Sequence, residues 1–329
     1  MSLGCSITST STNDLTSGVG DLRQIASVRR IVLDDGPERG VRALSFSTGG
    51  GLDFWVLSDR SLDIGPLWCN GSQIGWQHPT GFVSPGNFDR YDGAGYGLER
   101  ALSGFLVTCG LDTIRKPTDG LPQHGHLPVT PARMTGYGED WDAPEPYLFC
   151  EGTVTIASLK GSSLRLHRRI EAPIGRKSFS ISDKIENLGP EPVPIALLYH
   201  FNIGFPAVTQ ETKLALNDVD VIRVSGCSEP EFVCVPTENE DALVSLSGGA
   251  VDVEIRYPGT KLPWLQAWSD PRPRRNILAV EPATSERNAD GSSGPGAVLE
   301  PNACWTSKLN IEVMPSAEKK HHGRNHGKR

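Results

Sequence analysis

No apolar run in this 329-residue chain approaches the length of a membrane span, so no transmembrane helix is expected. Residues 1–16 are rich in Ser and Thr and lack both a basic start and an apolar centre. They do not read as a secretory signal, and a cytoplasmic protein is the expectation. Positive charge is not in excess: 32 Lys and Arg against 39 Asp and Glu leave a formal net charge of −7. That balance argues for a soluble protein and against a nucleic-acid partner. The seven cysteines, Cys5, Cys69, Cys109, Cys150, Cys227, Cys234 and Cys304, contain no C-x-x-C pair. An odd, scattered set reads as reduced thiols, mostly small core residues. Cys109 is a candidate nucleophile only by position, since no basic residue sits beside it to lower its pKa.

Glycine and proline, 36 and 25 residues, are plentiful, and the segments between them are short and alternating. Val41–Ser47 and Leu52–Leu57 read as strands turned by Gly49-Gly50-Gly51, and Asn70-Gly71 after Leu67–Cys69 is a hairpin signal. Val154–Leu159, Leu164–Ile170, Phe179–Ile185, Val251–Tyr257 and Lys308–Val313 read as further strands, most with clear period-two alternation. Leu262–Trp268 and Ile277–Val280 join them. Asp21–Ala26 reads as one capped helical turn. Short strands without a helical repeat predict an all-β sandwich of large antiparallel sheets. With no linker in view, residues 21–314 are expected to form one domain, after a loosely ordered 1–20 and before a basic, disordered tail at 315–329. The irregular stretch Trp76–Tyr96 is a candidate pocket wall through Trp76, Phe82 and Tyr91.

Three stretches carry candidate chemistry. Ala196–Pro206 is an apolar strand holding His200 and Asn202, which share a face because alternate strand residues do. Leu198 lies on that face and Tyr199 and Phe201 on the other. Two polar groups inside an apolar strand fit a lined pocket, although a core histidine satisfied by a backbone carbonyl is the plainer reading. Gln123–Ala132 sets His124 and His126 around Gly125, and Asn276–Thr284 buries Glu281 at the end of an apolar run. Two imidazoles and a carboxylate at strand ends make an acid–base constellation. Arg60 and Asp63 lie in the first meander, where the plainer reading is a surface ion pair of little energetic weight.

With these segments in view, the chain resembles the galactose mutarotase (aldose 1-epimerase) superfamily, within it a bacterial branch of uncharacterised aldose 1-epimerase-like proteins. The resemblance runs from about Arg39 to Val313. It is carried by Ser58-Asp-Arg-Ser-Leu-Asp-Ile-Gly65, Gly104-Phe-Leu-Val-Thr-Cys-Gly-Leu111, His124-Gly with Pro131-Ala132, Leu198-Tyr-His-Phe-Asn-Ile-Gly-Phe-Pro206 and Ala279-Val-Glu-Pro-Ala-Thr284. It implies a β-supersandwich with a sugar cleft on one face of the large sheet. It also implies His200 as general acid, Glu281 as general base, His124 as a sugar-bonding histidine and Arg60 as a contact to sugar hydroxyls. Asp63, His126, Asn202 and Trp268 are further candidate substrate contacts, with Trp76 and Trp264 as other rings able to stack on a pyranose. The segment after His124 is shorter than in galactose mutarotases, and His126 stands where the branch often has arginine. The superfamily's hydroxyl-fixing aspartate has no placed match.

The implied reaction exchanges the α and β anomers of an aldose by opening and reclosing the ring. It needs a proton delivered to the ring oxygen and one taken from the anomeric hydroxyl, each step worth typically ~10²–10⁴-fold. Histidine, with an ordinary pKa near ~6.5, and a glutamate raised by burial suit those roles. The expected partner is a small sugar, with no metal or organic cofactor. Two other readings stand beside it: a non-catalytic carbohydrate-binding protein with the same cleft, and a metal-dependent cupin-type sugar isomerase using His124 and His126. Cupins usually place a glutamate three or four residues after such a pair, where this chain has Val129 and Thr130.

Overall fold

A computed structural model describes residues 12–159, 161–225 and 229–316. The N-terminal stretch through residue 11, Cys5, Cys227 and nearly all of the basic tail lie outside the described residues. The alternating segments fold as antiparallel strands. Strands β1 (Ser27–Val32), β2 (Arg42–Ser47), β3 (Leu52–Leu57), β4 (Asp63–Cys69) and β5 (Ser72–Gln73) form one sheet in chain order. Then come β6 (Leu106–Gly110), β7 (Arg133–Asp140), β8 (Tyr147–Ala157), β9 (Ser163–Pro173), β10 (Ser178–Asn187), β11 (Val193–Pro194) and β12 (Leu197–Ile203). The remainder are β13 (Lys213–Leu216), β14 (Val219–Arg223), β15 (Glu231–Pro236), β16 (Asp241–Ser247), β17 (Val251–Pro258), β18 (Trp264–Asp270), β19 (Ile277–Ala283), β20 (Val298–Leu299) and β21 (Cys304–Pro315).

A 9-stranded sheet runs β14-β13-β16-β17-β21-β10-β9-β8-β7, and a 5-stranded sheet runs β15-β18-β19-β12-β6. Strands β11 and β20 make a small ribbon. The described α-helices, Thr12–Gly18 and Asp92–Gly95, are short, and none of the described helices is long and apolar enough to cross a membrane. The expected all-β sandwich is the observed architecture. The capped turn after Asp21 is a 3₁₀ helix, Leu22–Gln24, in which the Arg23 amide donates to the Asp21 carboxylate.

Alternation decides which sheet faces water. Strands β9 and β21 bury every second side chain, so the large sheet has one core face and one solvated face. Leu166, Ile170, Ile181, Leu309 and Ile311 supply that core, against Tyr199, Phe201 and Val280 of the smaller sheet. Strands β12 and β19 are buried on both faces, which is why they read as nearly continuous apolar runs. Their second face carries a smaller apolar cluster, Val107, Cys109, Ile114, Leu198 and Ala283. Strand β7 has no expectation behind it: it is a sheet edge interrupted by Gly136 and Gly138, paired to β8 through a register shift.

Candidate active site

Cross-strand register assembles the centre of the site. The pairs Leu198↔Ala283 and Phe201↔Val280 bracket His200 and place it opposite Glu281, which in turn pairs with Gln266. Opposed residues share a face, so three neighbouring strands present His200, Glu281 and Gln266 in one row. The next row of the same face holds Asn202, Ala279, Trp268 and Phe232. His200 Nε2 lies 3.4 Å from Glu281 Oε1, while Gln266 donates its Nε2–H to the other carboxylate oxygen.

The chain between β6 and β7 brings the second histidine. His124 and Gly125 both sit in the left-handed region, at φ 61° and 70°. A Cβ on Gly125 would meet Asp112 Oδ1 at 2.0 Å, so this turn requires glycine. His124 N–H donates to Arg115 O at 2.9 Å, and Arg115 N–H donates to His124 Nδ1 at 3.3 Å. Nδ1 is therefore an acceptor, and a neutral His124 carries its hydrogen on Nε2. The ring stands edge-on to His200, with centroids 5.7 Å apart. Arg115 reaches across to Gln266 Oε1 at 3.0 Å and to Ser285 Oγ at 3.0 Å. A chain of donors thus runs from Arg115 through Gln266 to Glu281.

These groups open onto a cavity of about 460 Å³, whose lining includes Trp76, His78, Tyr96, Leu102, Phe232, Trp268 and Ile277. That volume lies in the roughly 300–1,000 Å³ range of small-molecule sites. Burial raises the Glu281 carboxyl above its ordinary value, against the opposing pull of His200, Arg115 and the Gln266 hydrogen bond. Burial also holds His124 well below the usual histidine range, reinforced by the nearby His200 and Arg115. The site therefore offers a neutral N–H donor, a basic carboxylate and an imidazole in contact with that carboxylate. Among the described residues His200 Nδ1 is buried without a hydrogen-bond partner.

The residues picked out in the sequence fall into two groups. His124, His200, Glu281, Trp268 and Trp76 line this cavity. Arg60, Asp63, His126 and Asn202 do not. Arg60 is buried and donates to the carbonyls of Ala101 and Val83, so it is neither a surface ion-pair partner nor a cavity residue. Asp63 is buried beside Arg168 and accepts the Thr108 amide. Asn202 shares the His200 face but is fully covered, donating to Gly104 O at 3.1 Å. His126 binds Asp112 through Nδ1 and Tyr91 through Nε2, a different set of partners from His124. Phe82 packs with Val41, Ala43 and Leu57, and Tyr91 stands on the His126 side.

Three further differences follow. The cavity lies on the 5-stranded sheet, whereas the resemblance implied a cleft on the large one. The physical reason is cover: loops roof the outer face of β12 and β19, while the outer face of β9 and β10 stays half-solvated. Cys109 is fully buried and its thiol is pushed well above the ordinary value, which leaves it inert as a nucleophile. Among the described residues no group of three or more His, Cys, Asp or Glu is placed to hold a metal. Arg115 and Gln266 went unnoticed in the sequence. Gln266 follows the period-two path between Trp264 and Trp268, a usable signal, whereas Arg115 has none.

No curated protein matches the sequence. Solved structures do match in shape. A protein provisionally assigned as an aldose 1-epimerase, from Klebsiella pneumoniae, superposes with a TM-score of 0.80 at 19% identity, over 95% of this chain and 91% of that one. A galactose mutarotase-like protein from Clostridium acetobutylicum gives 0.64 at 12% identity, over 88% and 98%. Galactose 1-epimerase from Lactobacillus acidophilus gives 0.55 at 11%, over 88% and 98%. At such identities the likeness is one of fold. The chain has the galactose mutarotase-like fold, and over residues 38–232 it matches, and so belongs to, the family described as a domain of unknown function, DUF4432.

Proposed function

We propose that the protein is an aldose 1-epimerase-type enzyme that exchanges the α and β anomers of an aldose or aldose derivative. The observation that carries this reading is the cross-strand pair of His200 and Glu281, 3.4 Å apart, opening onto a cavity beside the neutral His124. In the reaction, the Glu281 carboxylate takes the proton of the anomeric hydroxyl while protonated His200 gives one to the ring oxygen. The C1–O5 bond breaks and leaves an open-chain aldehyde, the C1–C2 bond rotates, and the two transfers run in reverse as the ring closes on the other face. Desolvation favours this use of Glu281, because a carboxylate of raised proton affinity is the stronger base. His124 Nε2–H serves as a donor to a sugar hydroxyl, and Trp268 and Trp76 supply apolar walls.

The test is proton NMR of freshly dissolved α-anomers, followed for decay to equilibrium with and without protein. Acceleration that is lost in His200→Asn and in Glu281→Gln supports the reading. Sugar binding without acceleration would instead favour a non-catalytic carbohydrate-binding role.

A further inference from the structure

The charged residues around the cavity are not all accounted for by one another. Lys116 Nζ is 2.6 Å from Asp290, and Arg272 is clamped to Asp270 through Nε at 2.8 Å and Nη2 at 2.7 Å. Arg115 is spent on Gln266, Ser285 and Ser293. Two guanidiniums remain, Arg275 and Arg287. Among the described residues neither has a carboxylate partner or a side-chain hydrogen bond, though both line the cavity. The nearby rim carboxylate, Glu99, is exposed and pairs with neither.

Arg287 is not a loose surface side chain. It is half-buried, with its guanidinium carbon 4.1 Å from the centroid of the Phe232 ring, and its backbone is bridged to Ser293. Stacking fixes the plane of the group while leaving its edge donors open. Arg275 is tied at its backbone, where its carbonyl accepts the Trp76 indole N–H at 2.7 Å. Arg287 is also close enough for its charge to favour the ionised form of Glu281. A neutral ligand closing over Arg287 would desolvate a stacked guanidinium whose edge donors are open, which is costly, whereas an anionic group would meet those donors and, at the rim, the exposed Arg275 beside Asp270.

We infer that the cavity takes an aldose bearing an anionic substituent, a carboxylate or a phosphate, with Arg287 and Arg275 as its counter-charges. This substrate class rests on the acid–base reading of the same cavity. Anomer exchange is to be measured by NMR for D-galacturonate against D-galactose and for D-glucose 6-phosphate against D-glucose, with calorimetric binding alongside. In at least one pair the anionic sugar should show a kcat/KM higher by roughly tenfold or more, the size of one charge-assisted hydrogen bond. The leading pair distinguishes carboxylate from phosphate. Arg287→Gln and, as a second variant, Arg275→Gln should each shrink that ratio severalfold. Equal or faster turnover of the neutral parents, or a ratio unmoved in both variants, overturns the inference and leaves the acid–base reading standing. If no sugar is turned over but an anionic one binds in an arginine-dependent way, the acid–base reading falls and the inference stands. Anionic sugars that neither bind nor turn over also overturn it.

Discussion

Strand β12 separates two clusters of buried charge that are built to opposite plans. On its core side, the Arg168 guanidinium meets Asp183 twice, at 2.9 and 2.7 Å, and also Asp63, the Ser61 carbonyl and the Thr108 hydroxyl. Tyr199 adds its hydroxyl to Asp183 at 2.7 Å. This cluster ties β9 and β10 of the large sheet to β4, β6 and β12 with few polar atoms left over. On the cavity side, His200, Glu281 and Gln266 are almost as deeply buried, and desolvation raises the Glu281 carboxyl as it raises Asp63 on the core side, but here, among the described residues, His200 Nδ1 has no hydrogen-bond partner. Charge that is fully answered inside a protein holds sheets in place. Charge that is only half answered, at the wall of a cavity, is available to a ligand.

The largest expected effect breaks the closed cluster. Arg168→Met leaves two carboxyls buried without their cation and should cost about 3–5 kcal/mol of stability in a denaturant titration. A loss below ~1 kcal/mol would mean that the network does not hold the sheets together.

Next comes the open cluster. His200→Asn and Glu281→Gln should lower kcat by at least ~10²-fold while melting close to the parent, since they remove proton transfer rather than packing. If either variant instead melts as early as Arg168→Met, the distinction between the two clusters collapses. The paired histidines of the 124–126 turn sharpen the same contrast. His124→Ala should be severely impaired, while His126→Ala, which loses only Asp112 and Tyr91, should keep most turnover or change mainly KM. Steady-state kinetics with and without EDTA checks both points, with no effect of the chelator expected.

The smallest effect concerns pH. Because burial raises Glu281, activity should climb with pH through a limb above the ordinary glutamate value of ~4.3, as the base becomes ionised. Gln266 donates to the carboxylate and so favours its charged form. Gln266→Leu should therefore move the limb further up, and a pH–kcat/KM profile reads the shift.

Much of the fold was legible because its cause is local. Alternation in β9, β10, β17 and β21 follows from one buried and one solvated face, and Asn70-Gly71 turns β4 into β5 because those residues accept positive φ. Strand β7 was not legible, since an edge with two glycines is made a strand by its neighbour rather than by its own residues.

The candidate site divides along the same line. His200 and Glu281 each stood out as polar residues set in apolar runs, and His124 as one of two histidines around Gly125. Asn202 stood out in the same way as His200, and Arg60 and Asp63 by their place in the first meander and in the resemblance, yet all three lie away from the cavity. Local pattern reports that a polar group is buried, and it carries no information about which face has room beside it. The sequence by itself determined the all-β class, the turns and the presence of buried ionisable groups, because these follow from side-chain period and backbone preference. Only the tertiary structure decided that residues 200, 281 and 266 form one row, that Arg115 backs it, and that Arg168 answers the carboxyls behind it. Those pairings depend on register and loop packing between segments far apart in the chain, set by the packing of whole sheets.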